Sequence, residues 1–156
     1  MDTIRVLEAD DWELLRDLRL RALADAPEAY CSTVERELAF TESDWRQRSG
    51  GLSVVAFAGG EPAAIGGGFS STPGWMQVVG MWTAPEHRGR GLATAVLGEL
   101  VHHARTQGQR VTLDVVEGNT AAESTYTHFG FVPTGESEPL REGSDLLVWR
   151  YVLPAG

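Results

Sequence analysis

The sequence predicts an α/β fold on a mixed, mainly antiparallel twisted sheet of six to seven strands, with a central parallel pair and about four helices. Three observations predict it. Residues 52–83 alternate between apolar runs and glycine-bearing turns, as a strand meander does. From residue 75 onward the pattern is strand, helix, strand, helix, strand. The first helix of that run is long and amphipathic, and a crossover of this length joins parallel neighbours rather than a hairpin.

Taken in order, residues 4–8 read as a short first strand. Asp10 offers an N-cap to a helix carrying Trp12, Leu15, Leu18 and Leu20, with Leu14 and Leu23 widening the stripe. Pro27 ends that helix or starts the next. Residues 28–37 read as a second short helix and a loop, and Thr41 with Asp44 caps a helical turn through Trp45 and Arg48. Residues 52–58 form a strand, Gly59-Gly60 a hairpin turn and residues 63–70 the return, where Gly66-Gly67-Gly68 marks a bulge. Residues 75–83 form the next strand. Gly91 opens the long helix, striped by Leu92, Val96, Leu97, Leu100, Val101 and Ala104, and Gly108 stops it. Residues 110–116 alternate, with Val111, Leu113 and Val115 on one face. Thr120 and Glu123 form a capping box for a helix to about residue 128, followed by strands at 131–134 and 146–153.

A chain of 156 residues, 42% hydrophobic, suits one domain, 1–156, with one core. No repeat or linker divides it. The formal charge of −9 argues against nucleic acid, which needs a basic face, and suits a cationic amine. All thirteen basic residues are arginine, so a lysine target would lie on another molecule. Acidic residues interrupt the N-terminus before any signal-like apolar run, and no stretch nears the roughly 20 apolar residues of a membrane span. The lone cysteine, Cys31, cannot form an intrachain disulfide and reads as a small buried apolar residue; a reducing, cytoplasmic setting fits. His102 and His103 point about 100° apart on a helix, and His87 and His128 lack ligand spacing, so no metal is expected. Trp75, Trp82 and Trp149 would contribute to an exposed interface, as in a homodimer.

The most informative stretch runs from Met81 to Thr94: a strand end, a basic glycine-bearing turn, and a helix N-terminus. Unpaired N–H groups and a partial positive charge gather at such a terminus. Glycines let the backbone approach an anion, and Arg88 and Arg90 add charge, which makes the turn a pyrophosphate cradle. With no lysine it is not a Walker A loop, and it lacks the Rossmann glycine spacing.

Arg88-x-x-Gly91-x-Ala93 after a Pro-bearing strand end resembles the signature of the GNAT acyltransferase superfamily. Asn119, Ala122, Tyr126, Gly130 and Phe131 fall at the spacing of that superfamily's second motif. The resemblance spans residues 76–134, and the stretch from Leu18 to Tyr30 resembles many bacterial members. It implies a GNAT fold, acetyl-CoA as co-substrate and transfer of an acetyl group to a primary amine, on a small molecule or a peptide N-terminus. It further implies that the Met81, Trp82 and Thr83 backbone holds the acetyl and pantetheine groups. The backbone of Arg88, Gly89, Arg90, Gly91, Leu92, Ala93 and Thr94 would hold the pyrophosphate, and Asn119, also a natural N-cap, the pantetheine arm. The strands at 75–83 and 110–116 would splay around the cofactor.

Tyr126 is the implied acid, donating to the leaving thiolate. The attacking amine must first lose a proton. Asp114, in Leu113-Asp114-Val115, sits where the similar ribosomal-protein N-terminal acetyltransferases carry Leu-Glu-Val, twelve residues before the tyrosine. The shorter aspartate would act through a water, and Glu117, Glu35 and Glu37 are alternatives. Neither motif offers a nucleophile for a covalent acetyl-enzyme, so direct attack in a ternary complex is expected. A non-catalytic acyl-CoA-binding regulatory module on the same fold is the alternative.

Overall fold

A computed structural model of the chain describes residues 2–27, 30 and 32–155. Cys31 and part of the segment read as helix and loop at 28–37 lie outside the described residues. The sheet has seven strands: β1 (Asp2–Val6), β2 (Leu52–Ala58), β3 (Glu61–Phe69), β4 (Trp75–Thr83), β5 (Arg110–Val116), β6 (Val132–Pro139) and β7 (Leu147–Leu153). Their order is β1-β2-β3-β4-β5-β7-β6. Every pairing is antiparallel except β4 with β5. The described helices are α1 (Trp12–Asp25), α2 (Val34–Leu38), α3 (Glu42–Gly50), α4 (Leu92–Thr106) and α5 (Thr120–Phe129).

The sheet separates two apolar clusters. On one face α4 sets Val96, Leu97, Leu100, Val101 and Ala104 against Val54, Met76, Val78, Val111, Leu113 and Val115, with Tyr126 and Phe131 closing the cluster. Each fully buried side chain of this kind contributes about 1.5–3 kcal/mol. On the other face α1 and α3 set Leu15, Leu18, Leu23 and Trp45 against Val55, Ile65 and Trp82. Trp82 is therefore core, its indole N–H donating to Asp25 at 3.0 Å, and it cannot serve an exposed interface as expected.

Boundaries moved where caps and pairing outweigh local pattern. The first strand starts earlier because Asp2 to Val6 pair with Ala58 to Val54. Asp10 falls within a short 3₁₀ turn capped by Glu8, and α1 begins after Asp11. The Thr41–Asp44 pair is a full reciprocal box starting a nine-residue helix. The cap of α5 is Asn119 rather than Thr120, its Oδ1 accepting the Ala122 N–H at 3.2 Å.

What positions the site is the parting of β4 from β5. Trp75 to Val78 pair with Arg110 to Leu113, and pairing then stops. Beyond that point β4 stays paired with β3 and β5 with β7. The separation coincides with a register shift opposite β4, between Ile65 and Gly67, and with Gly80 in a left-handed conformation at φ +66°. A side chain there would be strained, so glycine sets the bend.

Phe131 is 1% exposed and stacks edge-on against Tyr126 at 6.2 Å between ring centroids. Phe131→Ala is expected to cost about 3–5 kcal/mol. Urea unfolding measures it, and a loss under 1 kcal/mol would refute this account of the core.

Candidate active site

Between β4 and α4 the chain makes a 3₁₀ turn at Pro85–His87 and then the run Arg88 to Gly91. Gly89 and Gly91 have φ of +79° and +78°, while Arg88 between turn and glycine has φ −71°. The left-handed glycines on either side of Arg90 turn the backbone directly into α4, whose unpaired N–H groups form a nest suited to an anion. The first backbone hydrogen bond of α4 runs from Ala95 to Gly91, so the preceding amides have no helical partner. The arginine side chains are committed elsewhere. Arg88 donates to Asp25 at 2.7 Å and to the Thr83 carbonyl at 3.0 Å, and Arg90 lies 3.7 Å from Asp2. Both exposed guanidiniums make ion pairs within the chain, and the backbone offers the nest. Asp25 is the anchor: the Trp82 N–H, with the Arg88 guanidinium, holds its carboxyl below the usual range.

A cavity of about 1100 Å³ opens from this nest and passes through the β4–β5 gap. Leu113 and Val115 from one face of β5 line it, and so do Asp114 and Val116 from the other, so it reaches both sides of the sheet. On the α4 side stands Tyr126. Its ring is buried and its hydroxyl makes no hydrogen bond among the described residues. Burial, reinforced by Tyr30, pushes its phenol well above the ordinary tyrosine value, so it stays protonated. Asn119, also lining the cavity, spends Oδ1 on the α5 cap and keeps its NH₂ group.

On the α1 side, Asp114 receives Arg150 in a two-point contact at 3.1 and 3.3 Å and Gln77 at 3.3 Å. Nearby, Arg19 of α1 holds Glu37 of α2 in another two-point contact at 3.0 and 3.1 Å, and Arg48 of α3 adds a third bond at 3.0 Å. Glu37 is 2% exposed; burial alone would raise its pKa, but the Arg19 and Arg48 contacts outweigh it and the net shift is downward. Tyr30 lies under the Arg19 guanidinium and donates its hydroxyl to the Met81 carbonyl at 3.0 Å. Burial pushes its phenol up to about 12 against the opposing charge of Arg19. Arg141, from the β6–β7 loop, donates to the Tyr30 carbonyl at 2.8 Å.

The model of the acetyltransferase (GNAT) family matches residues 12–131. The chain belongs to this family. It is an acetyl-CoA-dependent N-acetyltransferase. Among solved structures, a Streptococcus pneumoniae GNAT-family acetyltransferase superposes with a TM-score of 0.80 at 19% identity, covering 97% of this chain and 98% of its own. A Brucella melitensis ribosomal-protein-alanine N-acetyltransferase gives 0.72 at 20%, covering 98% and 99%. A Salmonella typhimurium protein solved with its cofactor acetyl-CoA gives 0.75 at 20%, covering 98% and 93%. Likeness at these identities speaks to the fold. A search of curated proteins found no match.

The residues of this acetyltransferase fit the co-substrate by their chemistry: a backbone nest for a pyrophosphate, an unpaired stretch of β4 for an amide-bearing arm, and a cavity through the sheet. Of the anticipated residues, Met81, Trp82, Thr83, Arg88, Gly89, Gly91, Leu92, Ala93, Thr94, Asn119, Asp114 and Tyr126 all line that cavity, and Arg90 does not. Among the four candidate carboxylates only Asp114 does; Glu35 is exposed on α2, Glu37 is sealed by arginines, and Glu117 accepts the Leu147 N–H at 2.9 Å. Sequence reasoning missed Arg19, Tyr30, Arg48 and Gln77, whose partners lie 11 to 51 residues away.

Removing one partner of a buried pair leaves the other charge uncompensated. Glu37→Gln is expected to cost about 3–5 kcal/mol at neutral pH. Because the carboxyl is shifted down, its contribution holds above the unfolded value of about 4.3 and fades as pH falls through the folded value. Denaturation of wild type and variant across pH 3–7 checks this, and a variant as stable as wild type at pH 7 would contradict it.

Proposed function

We propose that this acetyltransferase is a cytoplasmic enzyme of one domain, residues 1–156, that transfers acetyl to a primary amine by direct attack in a ternary complex. The observation that carries the reading is the pair of groups on opposite sides of one gap: Tyr126 on the α4 side and Asp114 on the α1 side, both lining the cavity that starts at the nest. Acyl transfer to an amine needs proton loss from the nucleophile and proton gain at the leaving group, and these occur at opposite ends of the reacting atoms.

When bound, acetyl-CoA supplies a thioester whose acetyl carbon takes the amine nitrogen and whose sulfur leaves. The nest at Gly89 to Thr94 fixes the pyrophosphate, and the bent stretch of β4 offers backbone groups to the pantetheine arm and the acetyl oxygen. Asn119 offers its NH₂ group to the same arm. Asp114, reached through a water, accepts the proton that the ammonium sheds. Tyr126 keeps its O–H to high pH, donates it to the departing thiolate and is reprotonated by the second proton that the nitrogen sheds as the amide forms. No cysteine is needed in this route. The regulatory-module alternative gains nothing from a phenol that lines the gap.

The first experiment is calorimetric titration with acetyl-CoA. Micromolar binding that Gly91→Glu loses while keeping its circular dichroism spectrum is expected; no binding by the folded wild type would sink the reading. Tyr126→Phe should lower kcat about 100-fold or more while leaving acetyl-CoA affinity within about twofold. The raised phenol pKa means that wild-type activity should not fall below about pH 10 through tyrosine ionisation. An alkaline limb lying lower, and absent from Tyr126→Phe, would overturn that.

The reading also includes a homodimer, now without Trp82. Trp75 and Trp149 are half-buried, and Phe69 and Val132 are 47% and 45% exposed, which leaves apolar surface for a partner copy. Sedimentation should give twice the chain mass, and a monomer at micromolar concentration would remove it.

A further inference from the structure

The acceptor end of the cavity differs in charge from the rest of the chain. The protein carries −9, yet Arg19, Arg36 and Arg48 line this end. Glu37 offsets one of those charges. The one carboxylate among the described lining residues, Asp114, is already matched by Arg150. A surplus of positive charge therefore sits where the amine must enter, the opposite of what a plain cationic amine would favour.

Arg19 is the sharper feature. The residue is 9% exposed, and Glu37 occupies its Nε and Nη2. Its Nη1 is buried and has no partner among the described residues. That nitrogen lies against the β4 bulge, 3.3 Å from where a Cβ on Gly80 would sit. Glycine at the bend thus lets β4 pass close to the buried guanidinium edge of Arg19, a residue that lines the cavity. A buried cationic N–H without an acceptor is rare and unfavourable, and a planar guanidinium edge matches a carboxylate. Arg48 gives Glu37 one nitrogen, and Arg36 has no ion-pair partner among the described residues.

We infer that the acceptor carries its own carboxylate next to the amine, as a free amino acid or a close analogue does, and that Arg19, Arg48 and Arg36 hold that carboxylate. The amine then points across the gap toward Asp114. A peptide N-terminus lacks this carboxylate next to its amine. The inference rests on the acetyltransferase reading and deepens it by naming the acceptor class.

The test is coenzyme A release by wild type with the twenty α-amino acids, β-alanine and 4-aminobutyrate, each beside its carboxamide and its decarboxylated amine, plus short peptides with free N-termini. Acetyl-CoA binding is measured in parallel. At least one amino acid should be turned over, with its carboxamide at least about 30-fold lower in kcat/KM. Arg48→Gln and Arg36→Gln should each raise KM for the amino acid about tenfold with a smaller change in kcat, and leave KM for the carboxamide unchanged. Arg19→Gln, if it folds, should do the same more strongly; if it does not, the carboxamide comparison on wild type decides alone. Carboxamides, simple amines or peptides used as well as amino acids would overturn the inference and leave the acetyltransferase reading intact. Acetyl-CoA binding with no panel member turned over would also overturn it. No acetyl-CoA binding at all would remove the underlying reading as well.

Discussion

Two parallel strands that part halfway along their length leave backbone N–H and C=O groups without ladder partners, which a folded protein normally cannot tolerate in its interior. Here β4 and β5 pair over four residues and then diverge, each held by its outer neighbour. The left-handed Gly80 and the shifted register opposite it make the divergence a fixed bend rather than a frayed end. Everything functional is arranged around the unpaired edges: the nest at one mouth, Tyr126 on one side, Asp114 on the other. In the proposed reading, strand-like recognition of an amide-bearing arm would replace the missing ladder, so that the gap of the free sheet would become a binding element of the loaded one.

The gap needs bracing, and the bracing is polar. Asp25 at the end of α1 ties together the Trp82 indole and the Arg88 guanidinium, coupling the first helix to β4 and to the nest. Tyr30 fixes the Met81 carbonyl on the bent stretch, and Arg141 fixes Tyr30 in turn. A chain of contacts therefore runs from the β6–β7 loop through the α1–α2 segment to β4. The N-terminal helices are packed supports of the gap as well as walls of the cavity, and loosening any link would be felt at β4.

Much of this fold was legible because strong periodic signals decided it. Residues 52–58, 75–83 and 110–116 were assigned as strands with the bounds observed, since each is an apolar alternation stopped by glycine, proline or charge. The loop between β4 and α4 was equally legible in form: its glycines and the helix directly after them are local signals. Strand β6 was drawn too short because all eight of its residues are exposed, so no apolar alternation marks it. Helix α3 was seen only as a turn because it buries just Trp45 and Ser49. The acceptor half was not legible for a different reason. Arg19 and Glu37 are 18 residues apart, Arg48 and Glu37 are 11 apart, and which arginine meets which carboxylate depends on how three helices cross. Glu37 read as a candidate base for want of that information.

The Arg19–Glu37–Arg48 cluster also bears on why an acidic protein buries positive charge. Two guanidiniums around one carboxylate cost desolvation that an apolar trio would avoid, so stability alone does not account for them. Glu37 holds the Arg19 guanidinium at two points and Arg48 at one, and the buried Nη1 of Arg19 is left without an acceptor among the described residues. On the acceptor class inferred above, such a cluster would be a preorganised receptor: the orientation is set before the ligand arrives, and the ligand's own carboxylate would complete the set. The surrounding −9 surface then acts on the other end of the same molecule, drawing in the ammonium that must face Asp114. A zwitterion entering this site satisfies both fields at once, whereas a simple amine meets repulsion at the arginine wall. The charge asymmetry between the surface and the pocket thus orients the nucleophile toward the gap through which acetyl transfer must occur.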